Sequence, residues 1–234
     1  PDVSKPELAK LRNAIETGTQ EELELLTYKK SGEELWIHVS LSPLFDGEIN
    51  THFIAIAKDI TQRKNREALT NIKSEIGRIF SSYSSLNVSI EKSLEVLLEF
   101  GDFCTAELWL VNDNEQTIGL KGSKSIGESF DKQYHERQHA IALKKSEGFP
   151  GQIWAAGKVQ FWRGKDESAE FRRFAKRHNF EIQTIYGVPV IFDDRVTGSL
   201  LLGVKDYQQK ERYYIPLLAQ LGLDLGPDID RKKK

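Results

Sequence analysis

Around Gln62 the apolar residues change from the spacing of strands to that of a helix, and this switch lays out the whole chain. Before it stand three runs rich in β-branched and aromatic residues, 21–28, 34–44 and 52–60, separated by Ser31-Gly32 and Asp46-Gly47. Such pairs are hairpin turn signals. Upstream, Leu8, Leu11 and Ile15 lie at helical spacing in a segment that stops at Gly18. Residues 1–61 therefore predict one helix and a three-stranded antiparallel meander, too small to bury both faces of its sheet. After the switch, a proline-free run carries Leu69, Ile72, Ile76, Ile79, Tyr83 and Leu86 at intervals of 3, 4, 3, 4 and 3. This is a heptad seam about two and a half repeats long. It suits parallel pairing of two copies. Phe80 beside it widens the apolar stripe, which also suits a helix packed on its own domain.

Beyond the seam, 87–103 repeats a helical pattern through Ile90, Leu94, Leu97 and Leu98, and Ala106–Val111 reads as a buried strand with 116–121 as its partner. Residues 122–147 read as polar and irregular, 148–158 as a single-turn element bounded by Gly and Pro, and 159–162 as a short apolar run. A helix is expected over 168–178, a hairpin around Asp193-Asp194, and a last helix over 211–229 whose final turn Gly226-Pro227 should kink or fray. Helices segregated around antiparallel strands make an α+β chain. The expected organisation is a first domain over 1–61, a connector helix over 62–86, a second domain over 87–226 and a linker from 227 to 234.

Composition removes several function classes. Thirty-three Lys+Arg against 35 Asp+Glu leave a net charge of −2, so no basic field draws nucleic acid or anionic lipid. The single cysteine, Cys104, excludes an internal disulfide and a thiolate metal cluster, which fits a reducing cytoplasm. No apolar window reaches the roughly 18 residues of a membrane span. There is no methionine, so Pro1 is not expected to be a translation start, and the chain reads as a piece of a longer protein.

Two resemblances rest on these residues. PDVSKPELAKLRNAIETG, ELLTYKKSGEELWIHVSLSPLFD and HFIAIAKDITQRK resemble the second half of a PAS domain through its Asp-Ile-Thr exit motif, with Tyr28, Gly32, Trp36, Asp59, Ile60 and Thr61 carrying the likeness. The resemblance implies that the first strands of a PAS fold lie before Pro1. EFGDFCTAELWLV, EGFPGQIWAAGKVQFW and YGVPVIFDDRVTGSLLLGV resemble a GAF domain. PAS, connector helix and GAF in succession imply the sensory input region of a two-component histidine kinase, dimerising through Leu69, Ile72, Ile76, Ile79, Tyr83 and Leu86 and the last helix. The alternatives are the input region of a cyclic-dinucleotide synthase or phosphodiesterase, and a ligand-free scaffold.

The residues argue for binding rather than catalysis. Neither an acceptor-histidine motif nor an ATP-binding box is present. His135-Glu136-Arg137-Gln138-His139 has the two-histidine spacing of a zinc helix but no third ligand in view, and reads as a solvated polar segment. No residue is assigned to catalysis or to a metal. Thr27, Ile37 and Ala57 stand where flavin-binding relatives of the PAS family carry Asn, Asn and Gln, and no cysteine stands in the segment over the GAF pocket. Flavin, haem and bilin are therefore not supported. Asp59 and Thr61 sit where the last strand meets the connector, able to cap its free backbone amides and to pass sheet distortion into the helix. Phe149, Trp154, Phe161, Trp162, Arg163 and Tyr186 are expected to line one pocket, suited to a planar anionic small molecule or else filled by its own packing.

Overall fold

The computed structural model describes residues 5–30, 32, 34–47, 49–100, 103–126, 141–163, 182–205 and 211–233. The chain divides into two units, Pro1–Ala68 and Leu69–Lys234.

In the first unit, helix α1 (Lys5–Thr17) precedes strands β1 (Glu21–Tyr28), β2 (Glu34–Asp46) and β3 (Ile49–Asp59), which form an antiparallel sheet in the order β1-β2-β3. The register places Leu23 opposite Val39 and Leu25 opposite Ile37, so alternate residues share the face that packs with Leu11. Ala14 is buried as well, whereas Leu8 and Ile15 stay exposed. The apolar triad Leu8, Leu11, Ile15 is thus not the packing face. The stripe is narrower and centres on Leu11 and Ala14, because one helix covers so small a sheet.

The second unit is built on a six-stranded antiparallel sheet in the order β6-β5-β4-β9-β8-β7. Its strands are β4 (Phe103–Val111), β5 (Thr117–Ser125), β6 (Ala142–Lys144), β7 (Gln160–Arg163), β8 (Thr184–Phe192) and β9 (Arg195–Val204). Asp193 and Asp194 both take positive φ, 50° and 58°, in the tight turn that joins β8 to β9. Residues 142–144, expected to be irregular, pair with β5 as an edge strand. Helices α2 (Thr61–Ser82), α3 (Leu86–Phe100) and α5 (Glu211–Lys233) supply Ile72, Ile76, Phe80, Ile90, Leu94, Leu97, Leu218, Leu221 and Leu225 to the core on one face. Helix α4 (Gly148–Ala156) covers the other face through Phe149, Ile153 and Trp154, and spans nine residues where a single turn was expected. The helix expected over 168–178 lies outside the described residues.

Two helical expectations change. The run to Leu86 is not one helix: α2 ends at Ser82 and Leu86 opens α3. Four serines lie between Ser81 and Ser85, and serine hydroxyls compete for backbone groups. Ser81 Oγ donates to the Gly77 carbonyl at 2.8 Å, and Ser85 accepts from the amide and the hydroxyl of Ser89, each at 3.0 Å. The second change is at the C-terminus, where α5 continues through Gly226 and Pro227 to Lys233. The glycine serves packing rather than helix termination. A Cβ on Gly222 would lie 2.1 Å from the Pro189 carbonyl oxygen, and one on Gly226 only 1.9 Å from that of Ile191. Two glycines four apart on one helix face let α5 lie directly on the backbone of β8.

Candidate functional site

Two arrangements carry the chemistry. The first is the exit from the three-stranded sheet. Asp59 ends β3, and its Oδ1 accepts the Thr61 amide at 2.9 Å, which satisfies one of the donors that a helix start leaves open. This bond holds the Asp59 carboxyl below its ordinary value. The Thr61 hydroxyl accepts the Trp36 amide at 3.0 Å, and the Ile60 amide donates to the Trp36 carbonyl at 2.9 Å. The start of α2 is therefore clasped to the middle strand at a single residue. Lys64, one turn on, reaches Glu24 of β1 at 2.7 Å and lies 5.1 Å from the Trp36 ring centre, and Arg63 pairs with the same glutamate. Lys64 first, then Arg63, lowers the pKa of that half-buried carboxyl.

The second arrangement is the sheet of the second unit. The six residues expected to share one pocket do not share a face. Phe149 stacks on Trp162 with ring centres 4.3 Å apart, in the apolar cluster that also holds Trp154. Phe161 instead faces Tyr186 at 6.4 Å, in the cluster on the opposite side. Arg163 lies 4.9 Å from the Phe161 ring. The reason is the pleat: Phe161 and Trp162 are neighbours on β7, and consecutive residues of a strand point to opposite faces. The single pocket becomes two aromatic clusters, and the guanidinium sits away from the two tryptophans it was expected to assist.

The heptad residues are equally committed. Ile72, Ile76 and Ile79 are buried, and Leu69 and Leu86 pack against the core of their own unit, whereas Tyr83 is exposed. Of the two expectations for this stripe, the structure realises packing on its own domain. A seam already buried there cannot meet a second copy without opening that core. His135 and His139 lie outside the described residues.

Sequence reasoning passed over one residue on the α4 side of the sheet. Glu107 is 4% exposed, in the middle of β4. Its Oε2 accepts Trp109 Nε1 at 2.9 Å, while Oε1 has no hydrogen-bond partner among the described residues. Thr105, two residues earlier on the same face, is 6% exposed and its Oγ1 is likewise unpartnered. Burial pushes the Glu107 carboxyl up to about 7, with the indole N–H pulling the other way. An unpaired buried polar group costs about 1–3 kcal/mol. The signal was legible: Glu107 is the only charged residue in Phe103–Val111, FCTAELWLV.

The chain thus strings two small α+β modules together. Residues 3–62 match the model of the PAS domain family. In sequence the chain is similar to a blue-light photoreceptor of Listeria innocua serovar 6a, 31% identical over 64 residues, 27% of this chain and 25% of that protein. It is also similar to one of Listeria monocytogenes serovar 1/2a, 30% identical over 77 residues, 31% of this chain and 30% of that protein. The chain spans less than a third of the length of these relatives. In fold it is similar to the GAF domain of an Acinetobacter phosphoenolpyruvate-protein phosphotransferase, with a TM-score of 0.56 and 19% identity over 73% of this chain and 95% of that one. The A. aeolicus nlh2 GAF domain in an inactive state gives 0.57 and 19% over 72% and 99%. The free methionine-R-sulfoxide reductase of Neisseria meningitidis, in complex with its substrate, gives 0.54 and 17% over 72% and 90%. A segment that matches the PAS model is therefore followed by a fold similar to that of GAF domains.

Proposed function

We propose that this chain is the sensory input region of a cytoplasmic two-component histidine kinase, in which a small molecule or partner bound by the GAF fold biases a downstream phosphotransfer module. The observation that carries the reading is helix α2. Its first residue, Thr61, is clasped to Trp36, and its later turns place Ile72, Ile76 and Phe80 in the GAF core. One helix thus contributes to both modules, and a change in either can bias it. Homodimerisation belongs to this reading, as is usual for such kinases, through surfaces other than the buried stripe Ile72, Ile76 and Ile79. Blue-light sensing is not carried over from the Listeria proteins, because Thr27, Ile37 and Ala57 lack the side-chain amides that stand at these positions in flavin-binding relatives. Nor is the reductase chemistry of the Neisseria protein: Cys104, the sole cysteine, is buried with its thiol 3.4 Å from the Gly203 carbonyl. Incubating the full protein that carries this chain with radiolabelled ATP tests the reading. Acid-labile, base-stable phosphate on a histidine is expected. Cyclic-dinucleotide synthesis or hydrolysis without such phosphate would overturn it.

A further inference from the structure

We propose that Glu107 and Thr105 anchor a binding site on the α4 side of the six-stranded sheet for a small organic cation bearing N–H donors on an ammonium, amidinium or guanidinium group. The inference rests on the reading of the GAF fold as a ligand-binding module and names what that module selects.

The argument begins with the unsatisfied atoms. Glu107 Oε1 and Thr105 Oγ1 are buried acceptors two residues apart on the same face of the central strand β4, and neither has a partner among the described residues. Trp109 already occupies Oε2, which fixes the carboxyl and leaves Oε1 as its free acceptor. In the register, Glu107 is flanked by Leu201 on β9 and Ser123 on β5, and Thr105 by Gly203 and Ser125. Gly203 is packed by the Thr105 methyl and Ile182, where a Cβ would lie 2.5 Å from Thr105 Cγ2. Leu201, Trp109, Ile182 and Ile185 make the rest of this face apolar. A fold does not need a carboxyl here. An aliphatic residue would complete the apolar face without the cost of desolvation.

The sign of the missing partner follows from the charges around it. Helix α4 and strand β8 contain no charged residue. On β9 the only charge is Arg195, at its first residue and 3.9 Å from Glu115. On β5, Lys121 is exposed and Lys124 pairs with Glu95 of α3 at 3.0 Å. On β6, Lys144 is exposed. On β4 itself the other titratable group is Cys104, whose thiol burial pushes up while Lys205 pulls it down, and Tyr186 of β8 belongs to the opposite face. Arg163 of β7 lies 4.9 Å from the Phe161 ring on that opposite face, and Lys145 lies 5.5 Å from the Trp154 ring, so neither is paired with Glu107. Among the described residues, then, no protein cation neutralises Glu107. In its absence the neutralising charge is a proton, and with the carboxyl at about 7 that proton is half-held at neutral pH. A cationic donor takes its place, giving N–H to Oε1 and to Thr105 Oγ1 while the proton leaves to solvent. An anion meets repulsion at this position, which reverses the charge preference expected from Arg163.

The test titrates the intact chain with methylammonium, methylguanidinium and benzamidinium at pH 6 and pH 8, followed by indole fluorescence and by thermal shift. Benzoate and benzyl alcohol serve as anionic and neutral controls. At least one cation is expected to bind, about tenfold more tightly at pH 8 than at pH 6, because the carboxyl must ionise first. Glu107→Gln, which keeps the shape and the indole bond, is expected to lose at least tenfold in affinity and all of the pH dependence. Should that variant fail to fold, Glu107→Asp keeps the charge, and weaker binding with the pH dependence retained is expected. Equal affinity in Glu107→Gln, or equal affinity at the two pH values, overturns the proposal. Binding of a control and of no cation overturns it while leaving the module a ligand binder. Binding of none of the five probes also overturns it, and leaves the reading of the chain as an input region to the phosphorylation test.

Discussion

Replacing Glu107 by Gln should stabilise the second unit, and by an amount that grows with pH. The structure sets the magnitude. Burial raises the folded carboxyl from an ordinary value of 4.5 to about 7. At about 1.4 kcal/mol per pH unit, this difference amounts to about 3 kcal/mol between protonation states. The folded chain holds the proton more tightly than the unfolded one. Its stabilising effect is therefore complete below pH 4.5, declines as pH rises, and is gone above about 7. Gln cannot ionise and accepts the Trp109 N–H in the same place, so the variant lacks this decline. Urea unfolding of both proteins between pH 4.5 and 8, followed by indole fluorescence, isolates the effect. Other groups titrate alike in the two chains and cancel in the difference. The difference should rise by about 3 kcal/mol across that range. A difference flat with pH to within about 1 kcal/mol would refute the claim that Glu107 is held in a dry, uncompensated environment.

Ile76→Ala should destabilise the second unit by about 2–5 kcal/mol, as for other large-to-small changes in a core, without altering association state. A dissociated dimer of unchanged monomer stability in denaturant titration and ultracentrifugation would restore the seam as an interface. Gly226→Ala places a Cβ 1.9 Å from the Ile191 carbonyl oxygen and should cost at least about 3 kcal/mol in thermal or chemical unfolding, whereas an exposed helical glycine would gain from the same change. Asp59→Ala removes the acceptor of the Thr61 amide and should cost about 1 kcal/mol in the first unit. Because the folded Asp59 pKa is lowered, the wild-type advantage should be present above about pH 4 and fade below it, and a pH-independent difference would argue against the cap.

What the sequence disclosed depended on how local the determinant is. The three strands of the first unit follow from Ser31-Gly32 and Asp46-Gly47, and the β8–β9 hairpin from Asp193-Asp194, because a turn is set by the residues within it. The junction of Asp59 and Thr61 was legible for the same reason, although its clasp to Trp36 was not, since that bond joins residues 25 apart in the chain. The heptad spacing of α2 was read correctly as a stripe, but spacing does not say what covers a stripe. The aromatic pocket failed on the same ground, because Phe161 and Trp162 were counted as neighbours when the pleat of β7 sends them to opposite faces. Gly226 suggested a helix stop locally and serves as a contact point globally.

The two faces of the six-stranded sheet differ in kind, and this difference locates function better than any motif does. On one face, three helices bury a continuous apolar core, and Gly222 and Gly226 bring α5 into contact with the backbone of β8. Close packing of that sort favours one arrangement. Among the described residues the other face is covered by one short helix without a charged residue, and on that face stand two buried polar atoms without partners. Natural sequences depart from the rules of a stable core at functional sites and compensate elsewhere. The well-packed face can carry the roughly 3 kcal/mol that Glu107 withholds above neutral pH. A ligand cation that pairs with this carboxylate recovers part of that free energy on binding, so the strain of the unliganded fold becomes selectivity for the ligand's charge. If that is the arrangement, Glu107→Gln gains stability and loses the selectivity together, whereas a carboxyl with a purely structural role would lose stability when neutralised.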